Sequence, residues 1–377
     1  MKSPQHPSAP APQHSVTPPL TQLYFYLTEG CNLACRHCWL APKYDPKGSQ
    51  YPTLDITLFE TAIVEAKPLG LERVKLTGGE PLLHPRFLEL LAIVRREELG
   101  LTLETNGMLC TPEVAAEIAR IPQRFVSISI DGADAATHEW VRGVKGSFER
   151  AQQAVRNLVA VGIRPQIIMT LLRENFDQLA AIVRLAEELG AASVKFNVLQ
   201  PTARGENIHT AGANLGVEEI LEMNQFVQVE LQPLTQIKLH YDVPMAFIPL
   251  SRLAEPDGAG RCSIRTILGV IHSGHYALCG IGEHLSEMVF GQVGADTLDQ
   301  LWHGNEVLTM LRTGLPDKLE GICAKCLMRH TCLGQCIALN VYRTGSLWAP
   351  FWFCEQAEAA GRFPGSRLIP EMFRQVR

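Results

Sequence analysis

Six short runs of β-branched and apolar residues punctuate the first two hundred positions. They read QLYFYLT (22–28), RVKLT (73–77), LTLET (101–105), FVSISI (125–130), QIIMTLL (166–172) and SVKFNVL (193–199). Helical stripes lie between them. Ile56, Phe59, Ile63 and Ala66 recur at helical spacing, as do Phe148, Ala151, Val155 and Leu158, and then Leu179, Ile182, Ala186 and Leu189. Ser147 is expected to cap the second stripe and Asn175, with Gln178, the third; Gly190 is expected to stop it. The stretch from Phe87 to Val94, bounded by Arg86 and Arg95, reads as a core helix. Strand followed by helix, repeated six times, leaves an α/β fold with a parallel sheet and right-handed crossovers. Several runs are apolar on both faces, as strands buried on both sides are. An open sheet and a closed barrel both satisfy the pattern.

Chemistry-bearing residues collect just after these runs. The segment GCNLACRHCW (30–39), with Cys31, Cys35 and Cys38, follows the first. TGGEP (77–81) follows the second, TNG (105–107) the third, and DG (131–132) the fourth. Ligands of α/β folds bind at the carboxyl ends of parallel strands. Taken singly, Gly78-Gly79, Gly107 and Gly132 read as turn residues. Four such punctuations beside a cysteine triplet read as one shared site.

Charge and composition exclude several classes. The 377 residues carry a net charge of −5, with 46% apolar and 19% charged residues, so no broad basic surface offers itself to nucleic acid. No apolar run approaches the ~18–20 residues of a membrane span. The first twenty residues hold six prolines and no acid. They lack the apolar core of a secretory signal and the arginines of a transit peptide, and read as a disordered tail. A cytoplasmic location is therefore expected. There, eleven cysteines stay reduced, and their grouping points to metal or cluster ligation. Cys110 stands alone and reads as a small buried hydrophobe.

Three thiols within eight residues suit a [4Fe–4S] cube that leaves its fourth iron open. The competing reading is a zinc site completed by His37, His84 or a distant ligand. The spacing Cys31-x3-Cys35-x2-Cys38 resembles the signature of the radical S-adenosylmethionine (SAM) enzymes, with His37 where an aromatic residue is usual. GGEP (78–81) resembles that family's motif for the methionine amino group. The resemblance implies a partial (β/α)6 TIM-like barrel over residues 21–240. It also implies a SAM-chelating cluster on Cys31, Cys35 and Cys38, reduced by a flavodoxin- or ferredoxin-like donor. SAM is then cleaved to a 5′-deoxyadenosyl radical that abstracts hydrogen from substrate. Gly78, Gly79, Glu80 and Pro81 would cradle the methionine end, Glu80 by ordering the loop rather than by moving protons. Thr105, Asn106, Gly107, Ser129 and Asp131 would lie near the ribose and methionine moieties, and Arg142 would meet the carboxylate.

The late cysteines are Cys262, Cys279, Cys323, Cys326, Cys332, Cys336 and Cys354. Seven thiols exceed one four-coordinate site and fall one short of two; paired zinc knuckles are the plain reading. Their spacing resembles the SPASM extension of radical SAM enzymes, which holds two auxiliary Fe–S clusters, here over residues 241–377. The resemblance implies one cluster on Cys323, Cys326, Cys332 and Cys354, and another on Cys262, Cys279 and Cys336. The latter then has three Cys ligands, with His272 and His275 nearby in sequence but read as structural or exposed. SPASM-type enzymes resemble one another in modifying peptides or proteins, and this context is most similar to maturases of ribosomal peptides, including those that excise tyramine. A precursor peptide is the expected substrate, and a separate leader-binding protein a partner. Gln200, Arg204 and the segment 200–260 are placed along a channel between the domains. Tetrapyrrole synthesis or sulfatase maturation is the alternative within the family, and a zinc-stabilised binding protein the alternative outside it.

Overall fold

The computed structural model describes residues 17–47, 51–255 and 262–370. All six runs form strands: β1 Gln22–Tyr26, β2 Arg73–Thr77, β3 Gly100–Thr105, β4 Arg124–Ser129, β5 Gln166–Leu171 and β6 Ser193–Val198. Four more join them: β7 Lys238–Tyr241, β8 Ile267–Val270, β9 His275–Ala277 and β10 Val289–Gln292. One sheet holds all ten, in the order β10-β9-β8-β1-β2-β3-β4-β5-β6-β7. Pairing is parallel from β8 through to β7, and β9 and β10 fold back antiparallel. With β7 and β10 at the two edges, the sheet is open. The sheet also runs across the boundary expected at residue 240, because the Cys-rich segment supplies β8, β9 and β10.

The helical stripes pack on the outer face. They lie on α1 Ile56–Ala66, α2 Phe87–Arg96, α3 Pro112–Ala119, α4 Ala135–Arg142, α5 Ser147–Ala160 and α6 Leu179–Leu189. Phe59 of α1 sits with its ring centroid 4.3 Å from that of Phe25 on β1. Ile182 and Ala186 of α6 are fully buried. Each large side chain buried this way stabilises the layer by roughly 1.5–3 kcal/mol.

Two expected caps differ. Gly146 occupies the cap position of α5, and Ser147 is its first residue, donating its hydroxyl to Val144 O at 2.7 Å. Asn175 does not cap with its side chain. Its Oδ1 accepts from Leu172 N at 2.7 Å, and its amide donates to the carbonyls of Asp131 and Thr170, at 2.9 Å each. It is a tie between loops. Gly190 does end α6, with φ 81°. Of the tail expected over residues 1–20, positions 1–16 lie outside the described residues, whereas 17–20 are packed: Leu20 is fully buried and Pro18 O accepts the Trp302 indole N–H at 3.0 Å.

The inner face is not the second apolar layer expected. Val74 and Leu76 of β2, Leu101 and Leu103 of β3, and Val194 and Phe196 of β6 are buried against the outer layer. The alternate positions carry Lys75, Glu104, Lys195 and Asn197. Lys75 Nζ is 2.7 Å from Glu104 Oε1, while the Asn197 Oδ1 is buried without a hydrogen-bond partner among the described residues.

Candidate active site

The cysteine loop leaves the carboxyl end of β1 and is held by its backbone. Ala34 N donates to Arg142 O at 3.1 Å and Arg36 N to Val141 O at 3.0 Å, which docks the loop on the last turn of α4. From the other side, Arg204, at the start of the helix Arg204–Thr210, donates to Cys35 O at 3.1 Å and also to Pro42 O, while its backbone N–H reaches Cys38 O at 3.2 Å. Cys31 and Cys35 are buried and Cys38 is half-buried. Donors point at the sulfurs: Leu33 N to Cys31 Sγ at 3.4 Å, Asn106 Nδ2 to Cys31 Sγ at 3.8 Å, and Arg142 Nη1 to Cys35 Sγ at 3.5 Å. Burial, then the charges of Cys35, Glu80 and Cys38, push the Cys31 thiol well up. Burial lifts Cys35 to about 11 even with Arg142 opposing it.

TGGEP lies across this loop. Gly79 N donates to Thr28 O and Glu80 N to Gly30 O, both at 3.1 Å. A Cβ on Gly79 would stand 1.9 Å from Gly30 O, so only glycine permits the approach; Gly78, with φ 126°, needs the left-handed half of backbone space. Glu80 is buried and accepts from Thr105 Oγ1 at 2.5 Å, Asn106 N at 2.8 Å and Leu82 N at 3.1 Å. Burial raises its carboxyl to about 7 against those bonds. Thr105 Oγ1 in turn accepts from Gly107 N at 3.0 Å, and Asn106 Nδ2 donates to Asn32 Oδ1 at 2.7 Å. The hydroxyl of Thr105 is thus committed to ordering the loop.

Asp131 stands just past β4 and is fully buried. Its Oδ1 accepts from Thr170 N at 2.7 Å, and its Oδ2 lies 2.6 Å from Arg142 Nε and 3.7 Å from His37 Nε2. Burial works to raise this carboxyl, but the Arg142 charge prevails and holds it below the usual carboxylate range. Burial pushes His37 down to about 4, so the ring is neutral at pH 7. His138 Nδ1 accepts from Asp131 N at 3.2 Å. Ser129 is half-buried at the end of β4, and Pro81 is buried where it opens the turn Pro81–Leu83. Asn32, His138 and Asn175 belong to this network although no motif marked them. His84 is engaged elsewhere, with Nε2 2.7 Å from Leu54 O and Nδ1 accepting from Arg86 N at 3.1 Å.

Two cavities divide the late cysteines. Cys262, Cys279 and Cys336 line a cleft of about 360 Å³, together with Trp39, Lys75, Lys195, Gln200 and Asp242. Cys323, Cys326, Cys332 and Cys354 line a small apolar cavity beside Ile322 and Phe363. Trp39, which lines this cleft, follows Cys38 directly in the chain. Lys195 Nζ is 4.0 Å from Asp242 Oδ2 across the cleft. Gln200 and Asp242 belong to the segment expected along the channel, whereas Lys75 and Lys195 were not among the expected residues; a charge in the middle of a strand is the signal that marks the two lysines. His272 pairs with Glu283 at 3.0 Å and His275 Nδ1 with Ser273 Oγ at 2.9 Å. Cys110 is buried.

Residues 25–186 match the family model of the radical SAM superfamily. An AdoMet-dependent heme synthase from Methanosarcina barkeri is 30% identical over 336 residues, which is 85% of this chain and 91% of that one. The chain belongs to the radical SAM superfamily. Mycofactocin maturase MftC from Mycobacterium ulcerans is 29% identical over 363 residues, covering 95% of this chain and 94% of the relative. The same fold is seen in Streptococcus suis SuiB bound to precursor peptide SuiA, with a TM-score of 0.69 at 17% identity over 90% of this chain and 76% of that one.

As a radical SAM enzyme this chain uses SAM and a [4Fe–4S] cluster, which supply the radical chemistry when bound. The donor set around the early triplet fits such a group. The buried thiols of Cys31 and Cys35, which resist ionisation alone, become favourable thiolates beside iron, and the N–H groups aimed at their sulfurs suit that charge. Among the described residues no three His, Cys, Asp or Glu side chains converge as a single metal ion requires. No helix among them is long and apolar enough to cross a membrane.

Proposed function

We propose that this enzyme modifies a ribosomally made precursor peptide, by crosslinking or backbone excision, in the cleft between the open barrel and the late cysteines. The observation that carries the reading is that cleft. It is lined by Trp39, the residue after Cys38 of the triplet that would hold the SAM cluster, and by Cys262, Cys279 and Cys336. Val198, Ile281, Leu339, Phe351 and Phe353 give it apolar walls, while Lys75, Lys195 and Asp242 supply charge. About 360 Å³ admits a few side chains, and the opening leaves room for the rest of a chain outside. The similarity to a mycofactocin maturase supports the same class.

In this reading Gly78, Gly79, Glu80 and Pro81 shape the methionine end of the SAM site, and Thr105, Asn106, Gly107, Ser129, Asp131 and Arg142 its remaining wall. Cys262, Cys279 and Cys336 hold one auxiliary Fe–S cluster with three thiolates, and Cys323, Cys326, Cys332 and Cys354 hold a second with four. The two cavities and the electrostatics support the division: the charge of Cys336 acts on both Cys262 and Cys279, and that of Cys323 on Cys332 and Cys354. A flavodoxin- or ferredoxin-like donor, a separate leader-binding protein and a cytoplasmic setting complete the proposal.

Anaerobic protein supplied with SAM, dithionite and the precursor peptide encoded beside its gene should release 5′-deoxyadenosine and change the peptide's mass. An unchanged peptide, with deoxyadenosine still released, would sink the peptide assignment. Tetrapyrrole modification is the second reading, favoured by the heme synthase relative. It predicts a shift of the porphyrin absorption band on mixing and turnover of that substrate instead.

A further inference from the structure

We infer that Arg142, anchored by Asp131, tunes the reduction potential of the cluster on Cys31, Cys35 and Cys38 by donating to the Cys35 sulfur. The inference rests on reading those cysteines as cluster ligands. Arg142 Nη1 lies 3.5 Å from Cys35 Sγ, and its Nε lies 2.6 Å from Asp131 Oδ2. The two groups are paired by charge rather than by an aligned hydrogen bond, and both residues are held by their neighbours. Asp131 is fully buried, its Oδ1 is held by Thr170 N at 2.7 Å, and its carbonyl by the Asn175 amide at 2.9 Å. The Arg142 carbonyl takes Ala34 N at 3.1 Å, one residue before Cys35. One helix end therefore fixes both the backbone of the cysteine loop and the donor aimed at its sulfur.

Charge and hydrogen bonds beside the sulfurs set the potential of an iron–sulfur cluster. Reduction adds a negative charge to the cluster. A guanidinium pointing at a ligand sulfur favours that charge, and a buried carboxylate disfavours it. Water does not screen either group here, so both act strongly. Paired, the two largely cancel at long range, leaving the directed N–H on Cys35. Arg142 thus contacts a cluster ligand, and Asp131 is a positioning residue that acts through it.

The pair makes opposite demands on its single variants. Asp131→Asn leaves the guanidinium unopposed and should raise the potential. Arg142→Gln leaves the carboxylate unopposed and should lower it. Arg142→Lys keeps the charge but not the fork, so it should shift the potential less than Arg142→Gln does. The measurement is an EPR-monitored redox titration of the full chain, anaerobically reconstituted, following the signal that changes when SAM is added. Iron content per chain serves as the control for assembly. Opposite shifts from the two single variants support the inference, because a merely structural role would not reverse sign. Shifts in the same direction, or none, overturn it. Should Arg142→Gln fail to assemble, Asp131→Asn and Arg142→Lys carry the test, and an unmoved potential in both overturns it. A wild-type protein with no SAM-responsive signal overturns the cluster reading and this inference together; a wild-type signal that the variants leave in place overturns this inference alone.

Discussion

Glu80 sits in the motif that most resembles a SAM-binding signature, yet its three accepted hydrogen bonds tie the turn Pro81–Leu83 to the end of β3 and the TNG turn. Its folded-state carboxyl stands at about 7, up from an ordinary 4.5, with burial as the cause. A carboxyl raised on folding contributes stability that is fully present below its unfolded pKa and is lost as pH rises through the folded one. Between pH 5 and 8, wild-type protein should therefore lose melting temperature faster than Glu80→Gln, whose side chain cannot ionise. A constant difference between the two proteins across that range would refute the assignment. Substituting Cys31, Cys35 or Cys38 by Ala should remove roughly four iron atoms per chain, one cube's worth, as read by iron analysis. The triplet stands out as a candidate ligand set because ligation needs thiols at close spacing. Arg142 was expected to meet the SAM carboxylate, but its contacts with Cys35 and Asp131 were not legible, because those partners meet it only through the fold.

At the scale of elements, the turn after β2 carries the tightest constraint. A Cβ at Gly79 would collide with the Gly30 carbonyl, the acceptor that Glu80 N uses. Gly79→Ala should cost about 1–3 kcal/mol of stability, as overpacking does, and should also displace the loop that opens into the cysteine triplet. Denaturant melts of the apo-protein, with iron content after reconstitution, check both effects. The six strands and their helices were readable from period alone, since a parallel strand with an apolar outer face and a helix with one buried stripe leave strong patterns. The caps were less readable. Ser147 and Asn175 are both good cap residues in isolation, yet Gly146 takes one position and the needs of Asp131 and Thr170 redirect the other. Short polar side chains have many backbone partners within reach, and packing chooses among them.

For the whole molecule, the decisive feature is that β1 pairs with β8 on one side and β2 on the other. The late segment is therefore built into the sheet that carries the early cysteines. A chain ending at residue 260 would strip β1 of one neighbour and expose its edge together with the cleft's apolar wall. It should be recovered mainly as aggregate, judged by the soluble fraction and by size-exclusion chromatography. A soluble monomer of that length would show that the barrel stands without β8, β9 and β10.

The amino-acid sequence by itself determined the local chemistry: which residues alternate as strand and helix, which thiols stand close enough to share a cluster, and which glycines punctuate the strand ends. Those are short-range properties, governed by side-chain period and ligand type. Only the tertiary structure decided that the sheet is open, that its lumen carries Lys75, Glu104 and Lys195, and that Cys262, Cys279 and Cys336 face the same cleft as Trp39. Those facts depend on strands far apart in the chain coming into register, and on buried charges finding partners that no local spacing specifies.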